Sequence, residues 1–264
     1  MTEQSALRTP HPAMGWRVVG ASVRGAAHVR GDVPCQDAHR YRVLGDGTLV
    51  VAVADGAGSA ARADEGAFLA ARYMVERLGE ELDEVRPESA GQWAELVRLT
   101  MAEARCALVA HAQREEASLS TFATTLTCVV ADEQWLIVGQ IGDGVVVAQR
   151  EDGTLVAAVQ PQRGEHANET RFLTSADALE QVEVHVNPAG ARALAVMTDG
   201  MLNLALRRPD YSPHAPFFEP LLQFCAQATD GTEAEEQLVA FLSSERVCGR
   251  TDDDKTLVLA TQDL

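Results

Sequence analysis

The stretch Thr48-Leu49-Val50-Val51-Ala52-Val53-Ala54-Asp55-Gly56-Ala57-Gly58-Ser59 decides how the chain is read. From Leu49 to Ala54 every residue is apolar, with no alternation of polar and apolar positions, so a strand is expected here with both faces covered. Such a strand belongs at the centre of a layered fold. The run then stops at Asp55-Gly56, which puts a carboxylate at the end of a buried strand. That is an expensive position without a cation nearby.

Downstream, the spacing of Phe68, Ala71, Val75 and Leu78 predicts a helix. Past a linker holding Pro87, a second helix is expected with Trp93, Leu96 or Val97, Thr100, Ala104 and Leu108 on one stripe. Residues 124–130, 134–140, 145–150 and 155–159 read as short strands. They are split by Asp132-Glu133, Gly142-Asp143-Gly144 and Asp152-Gly153, which are turn material, so an antiparallel meander is expected. A polar, irregular segment covers 160–180. Strands follow at 182–186 and 193–198, then helices near 217–228 and 233–243, with Thr232 and Glu235 at capping-box spacing for the second. A last strand is expected over 255–260, and an earlier one begins at Trp16. The order of elements predicts an α+β fold with helices outside antiparallel sheets. Residues 1–14 read as a loose tail, and 15–264 as one domain with no linker or repeat.

At 264 residues and 46% hydrophobic content, a large core is available. The net charge of −17 opposes binding to nucleic acid or anionic lipid, and it would also repel a phosphorylated substrate unless cations intervene. Five scattered cysteines without a CxxC pair argue against disulfide scaffolds and zinc ribbons, and they read as small buried hydrophobes in a reducing compartment. No run approaches the roughly 20 apolar residues that span a bilayer. The expectation is a soluble, cytoplasmic protein.

The acids are placed unusually. Asp55 and Asp199 each end a strand that reads as buried, Asp143 lies between two strands, Asp252-Asp253-Asp254 precedes the last one, and Asp37 sits in an earlier loop. A single Asp-Gly after a strand is usually only a turn. Several acids at one sheet end need positive charge, and Arg30, Arg62, Arg250 and Lys255 are the few bases near them in sequence. Oxygen-only ligation suits Mg²⁺ or Mn²⁺. Two such ions, about 3.5–4 Å apart, would activate a water and neutralise an incoming phosphate, which lets an acidic protein act on phosphoryl groups.

Gln36-Asp37-Ala38, Ala54-Asp55-Gly56-Ala57-Gly58, Ala123-Thr124-Thr125-Leu126, Ile141-Gly142-Asp143-Gly144, Met197-Thr198-Asp199-Gly200 and Asp253-Asp254-Lys255-Thr256-Leu257-Val258 occur in one order. In that order and spacing the chain resembles the metal-dependent serine/threonine protein phosphatases of the 2C type, from about Trp16 to Ala260. Compact bacterial members also share His28-Val29-Arg30, Gly164-Glu165 and Asn168-Glu169-Thr170. The resemblance implies a four-layer αββα sandwich with metals at one rim. It implies that Asp55 bridges two Mg²⁺ or Mn²⁺ ions, that Gly56 supplies a carbonyl, that Asp199 and Asp253 hold one ion, and that Asp37 acts through water. Asp143 matches the place of a third, weaker ion, Arg30 would grip the phosphate, and 160–180 falls where the family has a flap. The mechanism expected is single-step, in-line attack by a metal-bridging hydroxide on phosphoserine or phosphothreonine in proteins, with a serine/threonine kinase as natural counterpart. Ala57 stands where eukaryotic members often carry a histidine proposed as proton donor, and Asn203 where a second ligand of the third ion is common.

Other phosphatase chemistries fit poorly. None of the five cysteines has an Arg six positions later, no strand is followed directly by Asp-x-Asp, and no Walker-type phosphate loop is present. The seven histidines are dispersed, and His28, His39 and His166 read as loop or surface residues. The alternative from another class is a pseudophosphatase that binds phosphoproteins as a regulatory partner. A bland reading, with the acids serving only as turns, also stands at this point.

Overall fold

The computed structural model describes residues 15–162 and 170–262. The expected tail over 1–14, His166 and the middle of the 160–180 segment lie outside them. The chain runs β1 (Trp16–Val23), α1 (Ala26–Gly31), β2 (Asp37–Val43), β3 (Leu49–Asp55), α2 (Ala63–Glu84) and α3 (Ala90–Arg114). Then come β4 (Leu126–Ala131), β5 (Leu136–Ile141), β6 (Val145–Gln149), β7 (Leu155–Val159), β8 (Glu183–Asn187) and β9 (Ala193–Met197). The last part holds α4 (Leu202–Ala205), β10 (Leu206–Arg207), β11 (Ser212–Pro213), α5 (Ala215–Gln227), α6 (Gly231–Leu242), α7 (Glu245–Cys248) and β12 (Lys255–Gln262).

Two five-stranded antiparallel sheets form, ordered β1-β12-β9-β6-β7 and β2-β3-β4-β5-β8. The two-residue side-chain period of β3 explains the layering. Leu49, Val51 and Val53 point into a core between the sheets, where they join Val129, Val138, Val146, Leu194, Val196 and Val258. Val50, Ala52 and Ala54 point the other way, against Ala67, Ala70, Met74 and Leu78 of α2 and Trp93, Val97 and Met101 of α3. The first sheet does the same with its outer face: Val145, Ala195 and Leu257 meet Phe218 and Leu222 of α5 and Leu238 and Leu242 of α6. The αββα sandwich is therefore present. Each strand in its middle needs apolar side chains on both faces, which is why the central runs read as continuous hydrophobic stretches.

Several local expectations are corrected. The meander does not form: β4–β5 belongs to one sheet and β6–β7 to the other. Gly142-Asp143-Gly144 carries the chain between sheets, with Gly142 at φ +110 and Thr125 where its Cβ would stand. Phe68 is exposed and lies under the guanidinium groups of Arg40 and Arg72, while small residues at Ala67, Ala70 and Ala71 let α2 sit close to β3. Asp230, rather than Thr232, caps α6 and accepts from the amides of Thr232 and Glu233. A capping box is instead found at Ser89 and Gln92 of α3. Cys128 and Cys225 are buried as expected, but Cys106 is exposed and Cys35 and Cys248 are half-buried. His28 and His39 are not surface residues, because each is largely covered and bonded to a partner inside the fold, Asp254 and Ser22 respectively.

Candidate functional site

Antiparallel register brings the first two acids together. Asp37 opens β2 and Asp55 closes β3, and the two are direct partners across the ladder. Hydrogen bonds from Thr125 hold the end of β3: its amide donates to the Asp55 carbonyl at 2.8 Å and its hydroxyl accepts from the Asp55 amide at 2.9 Å. Asp199 follows β9 of the other sheet, and Asp143 sits on the crossover between the sheets. One carboxylate oxygen each from Asp55, Asp143 and Asp199 lies within 4.8 Å of the other two.

Asp37 is buried, and its Oδ2 accepts from the Thr198 hydroxyl at 2.7 Å, next to Asp199. Asp253 is exposed in the loop before β12, close enough for its charge to act on both Asp143 and Asp199. Gly56 is fixed by its amide, which donates to the Gln36 carbonyl at 3.0 Å, and any Cβ there would meet Ala63 at 2.7 Å.

The electrostatics call for a cation. Burial pushes the Asp55 carboxyl well above the usual range, and the charges of Asp37 and Asp199 push it further. Burial likewise raises Asp37, Asp199 and Asp143. Three buried oxygens, Asp37 Oδ1, Asp199 Oδ1 and Gln36 Oε1, have no hydrogen-bond donor among the described residues. An all-oxygen set with unsatisfied acceptors fits a hard divalent ion of the Mg²⁺ or Mn²⁺ kind.

The bases do not fill that role. Arg30 is on α1, exposed, and paired with Asp252 at 3.2 Å rather than with the converging acids. Arg62 pairs with Glu65 and Glu115. Lys255 is fully buried, and its ammonium donates to the Asp253 carbonyl at 3.2 Å. Asn203 is exposed on α4. Residues that the sequence reading gave no role also build the site. Thr198 and Thr125 orient the acids, and Thr170, from the 160–180 segment, donates to Asp143 Oδ2 at 3.0 Å. Both strand-end threonines stand inside quoted motifs, so the signal was there, although no spacing rule names a hydroxyl donor.

Residues 24–243 match the family described as Protein phosphatase 2C. The chain belongs to the protein phosphatase 2C family. It is accordingly a metal-dependent protein phosphatase. It is 39% identical over 253 residues to serine/threonine-protein phosphatase 3 of Escherichia coli (strain K12), spanning 94% of this chain and 98% of that one. Among solved structures it resembles serine/threonine phosphatase Stp1 from Staphylococcus aureus, with TM-score 0.62, 12% identity, and 97% and 99% of the two chains covered. It also resembles the catalytic domain of the serine/threonine protein phosphatase PstP in complex with 2 manganese ions, with TM-score 0.58, 18% identity, and 94% and 99% coverage. At such identities the structural likeness shows the protein phosphatase 2C fold. Among the described residues no helix is long and apolar enough to cross a membrane.

Proposed function

We propose that the chain hydrolyses phosphoserine and phosphothreonine in proteins, using two Mg²⁺ or Mn²⁺ ions held by Asp55, the Gly56 carbonyl, Asp199 and Asp253, with Asp37 acting through water. Asp143 would take a third, weaker ion. The observation that carries this reading is the convergence of Asp55, Asp143 and Asp199 beside buried oxygens that lack donors. Ions bound there would supply an activated water and neutralise the phosphoryl oxygens.

The chain's own residues do the rest. Thr198 and Thr125 hold Asp37 and the backbone of Asp55 in fixed positions, so the ligands need not reorganise during turnover. Arg30 would bind the phosphate in this reading: its tie to Asp252 joins two side chains that are 66% and 71% exposed, and a substrate dianion can displace such a weak pair. Ala57 is a methyl group, so the position after Gly56 donates no proton to the leaving alkoxide.

Residues 15–264 serve in this reading as one catalytic unit. The bond from Thr170 to Asp143 supports the 160–180 segment as a flap beside the site. A serine/threonine kinase is the natural counterpart, and the cytoplasm the expected compartment. The alternative, a module that only binds phosphoproteins, would need the acids absent or dispersed, whereas they are present and converge.

The test is phosphate release from a phosphothreonine peptide with Mn²⁺, run beside calorimetric titration of Mn²⁺ into the stripped enzyme. Two tight binding events and turnover that vanishes on chelation are expected. Undiminished turnover after exhaustive chelation would sink the reading.

A further inference from the structure

Asp252, Asp253 and Asp254 are consecutive but stand in different surroundings. Asp252 faces Arg30, and Asp253 is exposed toward the other acids. Asp254 is only 4% exposed, and both its oxygens are already taken. Oδ1 accepts from the amide of Gly25, the N-cap residue just before α1, at 2.6 Å. Oδ2 accepts from the Gln36 amide at 2.5 Å and from Nδ1 of His28, inside α1, at 2.9 Å. Three protein donors take most of the acceptor sites of this buried carboxylate, and the acids that converge are Asp55, Asp143 and Asp199, so Asp254 is read as a structural acceptor rather than a ligand.

Those donors come from two segments, α1 with the residue before it and the residue before β2. Gly25 and His28 set the position of α1, which carries Arg30, while Gln36 precedes Asp37. Further bonds press α1 onto the same loop: the Ala27 amide donates to the Asp252 carbonyl at 2.9 Å, and a Cβ on Gly25 would overlap the backbone of Asp253. On its other side the loop packs closely against Gly200, the residue after Asp199, since a Cβ there would overlap the Asp254 carbonyl. None of the three donors to the Asp254 carboxylate is a full cation unless His28 is protonated, so it acts through direction rather than through a salt link.

We propose that Asp254 is a positioning residue: it fixes α1, and with it Arg30, relative to the metal-holding acids, so that phosphate binding and metal binding share one frame. This rests on the reading of Arg30 as a phosphate contact. In Asp254→Asn the shape is kept, but an NH₂ group must face at least one N–H donor, which loosens α1 without removing a metal ligand.

The test measures kcat, KM for a phosphothreonine peptide and Mn²⁺ affinity in wild type, Asp254→Asn, Arg30→Ala and the double variant. Asp254→Asn is expected to raise KM roughly tenfold while kcat stays within a few-fold. Its Mn²⁺ affinity stays at the wild-type value. Arg30→Ala is expected to cost much less in the Asp254→Asn background than in wild type, as coupled residues do. His28→Gln, which removes one of the three bonds, should show the same split at smaller size, and it stands in if Asp254→Asn does not fold. Equal cost of Arg30→Ala in both backgrounds, or Mn²⁺ affinity that falls with Asp254→Asn, overturns the proposal. An Arg30→Ala enzyme with wild-type KM instead overturns the phosphate-contact reading beneath it.

Discussion

The dipeptide Asp-Gly occurs six times in this chain, and the six divide evenly into two kinds. At Asp46, Asp152 and Asp230 the carboxylate turns back on its own backbone, accepting from the amide two residues on at 2.9 Å in each case. At Asp55, Asp143 and Asp199 the carboxylates point at one another. The residue after Gly separates them. It is Thr48, Thr154 and Thr232 in the first group, and Ala57, Val145 and Met201 in the second. Those three apolar residues are buried, so the chain turns inward after the Gly and carries the acid to the edge of the core. A turn acid satisfies itself locally, whereas a site acid is left needing a partner from outside.

The contrast breaks most visibly in activity. Asp55→Ala and Asp199→Ala should lower kcat on a phosphothreonine peptide by roughly 10³-fold or more, since the ligands of the charge-neutralising ions are lost. Asp152→Ala should leave kcat unchanged. If the two kinds of variant lost activity alike, the division would fail.

The glycines give the next largest difference. Gly200→Ala sets a methyl group against the Asp254 carbonyl, backbone against backbone, and should cost about 3 kcal/mol or more of folding stability. Gly153→Ala meets nothing within 4 Å but sits at φ +83, so about 1 kcal/mol is expected from conformation alone. Chemical denaturation of both variants would show whether this order holds.

Stability against pH should differ in sign between the site acids and Asp152. In the metal-stripped protein, Asp37, Asp55 and Asp199 bind protons more tightly folded than unfolded. Their stabilising effect is complete in acid and is lost as pH climbs from about 4 toward 8. Asp152 runs the other way: bonds from Thr154 hold its carboxyl below the usual range, so its contribution fades only as pH falls. Thermal melts of stripped enzyme should therefore drop between pH 5 and 8 and recover with Mn²⁺. A flat profile would contradict the account. The smallest effect is expected for Asp230→Ala, about 1 kcal/mol from a lost helix cap with unchanged kcat. Any fall in turnover there would blur the two classes.

Much of this was legible from the chain. The unbroken run Leu49–Ala54 can be satisfied only by two covering layers, and an acid at its end implies a counter-charge. What escaped reading depends on partners distant in sequence. Whether Gly142-Asp143-Gly144 closes a hairpin or crosses between sheets is decided by which strands pair with β5 and β6, and these are β8 and β9. Phe68 fits a helical stripe as well as its neighbours do, but guanidinium groups from Arg40 and Arg72 hold it outside. Asp254 reads as one more acid in a run, and its donors lie 218 to 229 residues away.

Asp37 and Asp55 belong to one sheet, Asp199 and Asp253 to the strand ends of the other, and Asp143 to the link between them. Cations seated among them would act as rivets across the seam of the sandwich, adding resistance to unfolding that grows with the logarithm of free ion concentration. Starved of manganese or magnesium, the enzyme would then become easier prey for proteases as well as idle, so that its abundance and its turnover decline together.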